Sequence, residues 1–131
     1  MAGIVVVSHS SKIAQGVVEL VEQMTQGKVR MKAAGGTEDD RIGTDAMKIQ
    51  KAILEVDDGT QVLIFMDLGS AIMSAEMALD FMEEDLRRRV TLVDAPLVEG
   101  VLASAIQATI TENIEEIIKV AKESKNLVKI N

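Results

Sequence analysis

Hydrophobic positions along the 131-residue chain fall into two patterns, short continuous runs and longer stretches with helical spacing. Gly3-Ile4-Val5-Val6-Val7 is apolar throughout and rich in β-branched residues, as expected of a central parallel strand covered on both faces. It stops at Ser8-His9-Ser10-Ser11. Ile13, Val17, Leu20, Val21 and Met24 then recur at helical spacing, which predicts a helix over 11–25 with Gly27 as its stop. Residues 29–34 alternate Val29, Met31 and Ala33 with Arg30 and Lys32, which predicts a strand nearer the sheet edge. A second helix is predicted over 46–56, capped by Thr44-Asp45, with Met47, Ile49, Ile53 and Leu54 on its apolar side. Asp57-Asp58-Gly59 ends it.

Residues 61–66 form a second continuous apolar run and predict the third strand. Ser70 opens a helix over about 71–84, whose Met73, Met77, Leu79, Phe81 and Met82 read as core or as a protein interface. Arg87-Arg88-Arg89 reads as a solvated turn before a fourth strand over 90–93. Pro96 fits the first turn of a last helical stretch, 97–108 and 114–121, interrupted around Thr109-Ile110-Thr111. Residues 127–130 predict a short final strand at an edge, antiparallel or paired with another protomer. The alternation of strands and helices implies an α/β fold: an open, mostly parallel, doubly wound sheet of four strands plus a short edge strand. Helices would lie on both faces, in a single domain spanning 1–131.

Composition narrows the chemistry. An apolar share of 47% suits a globular domain, and an aromatic share of 2% leaves no platforms for stacking bases. A net charge of −7 disfavours nucleic acid and anionic membranes and favours a basic protein partner. Without cysteine, and with His9 as the only histidine, thiolate and multi-histidine metal sites are excluded. No metal and no cofactor are expected. No apolar run reaches membrane-spanning length and the first strand starts at the N-terminus, so the expectation is a soluble cytoplasmic protein.

His9 and Asp67 are the candidates for chemistry. Each follows a strand, and the carboxyl ends of neighbouring strands in a doubly wound sheet meet in one crevice. A carboxylate accepting one imidazole N–H would set the tautomer and leave the other nitrogen as a nucleophile for phosphorus. Amides at Ser10 and Ser11 open a helix and would favour an anion, and the hydroxyls of Ser10, Thr37 and Ser70 would add donors if they face inward. Structural readings stand beside these: His9 as a packed or capping residue, Asp67 as a helix cap, and Gly35-Gly36-Thr37 as a flexible polar loop. A Ser-His-Asp hydrolase lacks a Gly-x-Ser-x-Gly elbow, and no P-loop is present.

Three segments carry a family resemblance: Gly3–Ser10; Ala34-Gly35-Gly36-Thr37 with Ile42-Gly43-Thr44; and Val62–Ala71 with Ser74-Ala75-Glu76-Met77-Ala78. Through them nearly the whole chain resembles the mannose-class enzyme IIA domains of the sugar phosphotransferase system. The likeness is greatest to the branch serving phosphotransferase-dependent dihydroxyacetone kinases. The Trp-Gly-Gly-Ser-Pro type run of sugar-transporting members is missing. The resemblance implies that His9 is phosphorylated on its tele nitrogen, that Asp67 orients it, and that Gly36, Thr37 and Ser70 neighbour the phosphate. It implies a phosphotransferase subunit, a homodimer to which the last strand contributes, HPr as phosphoryl donor, and ADP bound on the DhaL subunit as acceptor, which then phosphorylates dihydroxyacetone on DhaK. A regulatory module of the same fold, or an enzyme IIA domain for sugar uptake, are the alternatives.

Overall fold

A computed structural model describes residues 1–131. Four strands, β1 (Gly3–Ser8), β2 (Met31–Gly35), β3 (Val62–Met66) and β4 (Val90–Val93), form one sheet in the order β2-β1-β3-β4. Every pairing is parallel, with Ile4 opposite Met31 and Leu63, and Val62 opposite Val90. The continuous apolar runs occupy the two middle positions, and the alternating segment lies at an edge, as its pattern predicts. Because the chain leaves β1 toward β2 and later crosses back to β3, the connections after β1 and β3 diverge. They open a crevice at the carboxyl ends of the two central strands.

Alternate residues of the central strands feed two cores. Ile4, Val6, Leu63 and Phe65 pack against helices α1 (Ser11–Thr25), α5 (Leu97–Ala108) and α6 (Ile114–Glu123). On the opposite face, Val5, Val7, Val62 and Ile64 pack against α2 (Ala46–Val56), α3 (Gly69–Asp80) and α4 (Glu84–Arg88). Each fully buried aliphatic or aromatic side chain contributes about 1.5–3 kcal/mol relative to exposure, so the strands that frame the crevice are also the best anchored. Helices therefore cover both faces, as expected of a doubly wound sheet.

Several sequence expectations are corrected. On α1, Ala14, Val17 and Val21 face the core, whereas Ile13, Leu20 and Met24 are exposed. The cause lies at the end of β2: a Cβ on Gly35 would stand 2.6 Å from the Ser10 carbonyl oxygen and 2.9 Å from the Ala14 Cβ. Only small residues permit so close an approach, and Ala14 takes the inner position. On α3 the inner positions belong to Ala71, Ala75 and Ala78, and Met73 is 71% exposed, with Met77 and Phe81 also outward. The core reading fails for Met73, Met77 and Phe81, because alanine lets the helix lie closer to the sheet, and holds for Met82, which is buried with Leu79 packed beside the same core. Met47 and Leu54 of α2 likewise face outward, with Ala52 and Val56 inside.

The predicted helix over 71–84 ends at Asp80, and α4 forms beyond it, with Leu86 buried. The arginine triplet is thus the end of a helix rather than a solvated turn, and Arg89 reaches back to Asp57 at 2.6 Å. Residues 127–130 form no strand. After a 3-10 turn (Ser124–Asn126) the chain runs on exposed, Ile130 at 89%, tied down where Lys129 meets Glu99 at 3.1 Å. The segment pairs with neither edge strand of the sheet, β2 or β4. No helix is long and apolar enough to cross a membrane.

Candidate functional site

Ser8 closes β1 and is fully buried, which places His9 at the rim of the crevice. Asp67 follows β3 directly. Its Oδ1 lies 2.9 Å from His9 Nδ1 and accepts the Leu68 N–H at 2.7 Å. Its Oδ2 accepts the His9 backbone N–H at 3.0 Å and the Ser8 hydroxyl at 2.8 Å. Both carboxylate oxygens are thus engaged, and the imidazole is held by its ring and by its own backbone. Partial burial works to raise the Asp67 pKa. The donors from His9, Ser8 and Leu68 outweigh it and hold the carboxyl below its ordinary range. An ionised Asp67 accepts the Nδ1–H, which leaves the lone pair on His9 Nε2.

That nitrogen faces Ser70, whose hydroxyl oxygen lies 2.5 Å away. Ser70 is the second residue of α3 and is exposed. The side chains of His9 and Asp67 keep 21% and 17% of their accessible surface, so both are half-buried and the ring is still reachable from solvent. The only ionic partner of His9 is Asp67, and neither residue forms an ion pair or hydrogen bond with a lysine or arginine.

The other residues predicted for this site stand around it with their polar groups turned elsewhere. Ser10 caps α1: its Oγ accepts the Ile13 N–H at 3.3 Å, and its own N–H goes to Ser8 Oγ at 3.0 Å rather than toward the crevice. Gly36, at φ +72°, bends the loop after β2 and donates its N–H to the Ser8 carbonyl at 3.1 Å. The Thr37 hydroxyl donates to Asp39 at 2.8 Å and accepts from the Arg41 N–H at 3.1 Å, closing its own turn. Gly43 donates to the His9 carbonyl at 2.9 Å, so this loop braces the histidine backbone rather than its ring.

Ser8 is the member that sequence reasoning missed. It touches Asp67 and Ser10 and so ties the two strand ends together. The available signal was its position: a hydroxyl at the last place of an apolar parallel strand is buried and must find a partner.

Fold and site together describe a doubly wound α/β domain that presents one carboxylate-held histidine at its topological switch point. Residues 3–118 match the family model EIIA-man, described as "PTS system fructose IIA component", and the chain belongs to that enzyme IIA family of the phosphotransferase system. Among curated proteins it is 40% identical, over 91% of its length and 95% of the relative's, to a protein of Listeria innocua named PEP-dependent dihydroxyacetone kinase 2, phosphoryl donor subunit DhaM. It is 42% identical over 90% of its length to the phosphoryl donor subunit DhaM of Escherichia coli, of which it spans 26%. A crystal structure of a protein of unknown function superposes with a TM-score of 0.86 at 45% identity, covering 93% of both chains. A phosphotransferase component EIIA from Streptococcus agalactiae shares the fold, with a TM-score of 0.69 at 14% identity over 98% of this chain and 97% of its own.

Proposed function

We propose that this domain is the phosphocarrier of a phosphoenolpyruvate-dependent dihydroxyacetone kinase and works in the cytoplasm. His9 Nε2 attacks the phosphorus of phospho-HPr; the new N–P bond forms as the bond to the donor histidine breaks. The phosphoryl group then passes from Nε2 to the terminal phosphate oxygen of ADP held on DhaL, giving ATP there for use on DhaK. The observation that carries this reading is the ring's double restraint: Asp67 occupies Nδ1, so only Nε2 remains to react.

Asp67 keeps the tautomer and stabilises positive charge that builds on the ring during attack. Ser70 is placed to rotate off the lone pair and donate to a phosphoryl oxygen, and Ser10, Gly36 and Thr37 shape the adjoining loops. Because no cationic side chain of this chain pairs with the ring, the partners bring the positive charge that phosphoryl transfer needs. The net charge of −7 suits transient docking of basic surfaces. We further propose a homodimer in which the exposed apolar tail, Leu127 to Ile130, is covered by the second copy.

The test is incubation with phosphoenolpyruvate, enzyme I and HPr, followed by mass spectrometry at neutral pH. One acid-labile phosphate on His9 is expected, absent in His9→Ala, with ATP formed when DhaL and ADP are added. Phosphorylation of His9 without ATP formation would favour a regulatory module, and an unmodified His9 would end the reading.

A further inference from the structure

The contacts that orient His9 have a second chemical meaning. With Nδ1–H donated to Asp67 and Nε2 accepting from Ser70, a hydroxyl, an imidazole and a carboxylate stand connected in that order. This is the relation of nucleophile, general base and orienting anion, which is recognised by geometry and not by chain order or a particular elbow motif. A serine hydrolase is a weak expectation from sequence for want of a positioned serine, and α3 positions one.

The surroundings suit acyl chemistry. Ser70 lies in the first turn of a twelve-residue helix, whose amino end favours a developing oxyanion, although the Ala71 N–H already donates to the Leu68 carbonyl at 3.0 Å. One residue away, a cleft of about 290 Å³ opens between the ends of β3 and β4, walled by Leu68, Gly69, Ile72 and Leu92 together with Asp67 and Asp94; Ser70 and His9 stand outside its wall, next to Gly69 and Asp67. Apolar walls with two carboxylates and no cation admit a small, uncharged acyl group and repel an anionic one.

We propose that Ser70 is a nucleophile activated by His9 and Asp67, able to take acyl groups from small, uncharged, activated esters. Ser70 Oγ bonds to the carbonyl carbon while its proton passes to His9 Nε2. The imidazolium, held by Asp67, returns that proton to the leaving oxygen as the ester C–O bond breaks. The acyl-Ser70 ester is then cleaved by water along the same route, releasing the carboxylic acid. Phosphoryl transfer, where it occurs, uses the same Nε2 lone pair, so a phosphorylated His9 cannot activate Ser70. The proposal goes beyond the phosphocarrier reading and does not depend on it.

Treatment of the full chain with p-nitrophenyl acetate tests this. The expected result is a burst of nitrophenolate and an acetyl group on Ser70 by peptide mass spectrometry. Ser70→Ala and His9→Gln should each slow the burst by about 10²–10⁴-fold. If the burst survives in Ser70→Ala with a transient acetyl on His9, the imidazole attacks esters directly and the proposal is overturned. Acetylation scattered over lysines and indifferent to both substitutions overturns it equally. Should either variant misfold, diisopropyl fluorophosphate on the unaltered protein decides: modification at Ser70 supports the proposal, and an unmodified Ser70 ends it.

Discussion

The two ends of the sheet carry charged residues of the same kinds and use them in opposite ways. At the amino end two arginines are tied into place. Arg30 donates to the carbonyls of Val56 and Met1, both at 2.9 Å, and meets Asp58 at 3.0 Å. Arg89 pairs with Asp57 and donates to the Thr60 carbonyl at 2.8 Å. These contacts close loops and leave nothing to react. At the carboxyl end one carboxylate gathers hydrogen-bond donors, no lysine or arginine pairs with it, and the ring it holds keeps one nitrogen facing a hydroxyl. Charge paired to charge marks structure here, whereas a carboxylate paired to an imidazole marks a group held ready for chemistry.

The comparison can be broken most forcefully at Asp67. Asp67→Asn should slow phosphorylation of His9 by about 10–100-fold, because an amide can hold the wrong tautomer and no longer carries the countercharge. It should also cost about 1–3 kcal/mol in a urea titration, since Ser8, His9 and Leu68 would compete for a poorer acceptor. Unchanged transfer would reduce the aspartate to a strand clamp. Next in size, Gly35→Ala should lower stability by about 1–3 kcal/mol and slow transfer, because its Cβ would push on the backbone of Ser10 and Ser11. Amide chemical shifts at residues 8–11 would report that displacement.

At the opposite end, Arg89→Met should lower the melting temperature while leaving phosphorylation of His9 at its full rate; a loss of transfer there would mean the two ends are coupled. The smallest effect concerns acid. Asp57 and Asp67 both titrate below the ordinary 3.8, Asp57 because Arg89 and the Gly59 N–H favour its charged form, and Asp67 because its donors outweigh burial. The unfolded chain therefore takes up protons first. The stability these groups confer is complete above about pH 5, begins to fall as pH approaches the ordinary 3.8 and is lost as pH falls through their depressed values. Denaturant midpoints measured from pH 5 downward should fall, and less steeply in Asp67→Asn.

Much of this was legible in the chain. Continuous apolar runs marked β1 and β3 as central, alternation placed β2 nearer the sheet edge, and residues following β1 and β3 could meet at one crevice if those strands were neighbours, as they are. That expectation puts Asp67 beside His9, where it stands. What escaped were questions of helix rotation and of partners. Periodicity could not tell Ile13 from Ala14, or Met77 from Ala75, as the inward residue, because the choice rests on how near a neighbouring backbone comes. Nor could it reveal that Thr37 would bond within its own turn, or that Ser8 would be buried with two partners. The tail, expected as a short strand at an edge, joins neither edge of the sheet, since a short apolar segment does not by itself specify a pairing partner.

Asp67 Oδ2 holds the Ser8 hydroxyl and the His9 N–H, both belonging to the exit of β1, while the residue itself belongs to the exit of β3. The reactive ring is thus aimed by the alignment of the two innermost strands and not by a loop free to wander. Heat should consequently silence this protein all at once: competence to receive phosphorus ought to persist undiminished up to the cooperative melt and vanish with it, with no earlier softening of the rim.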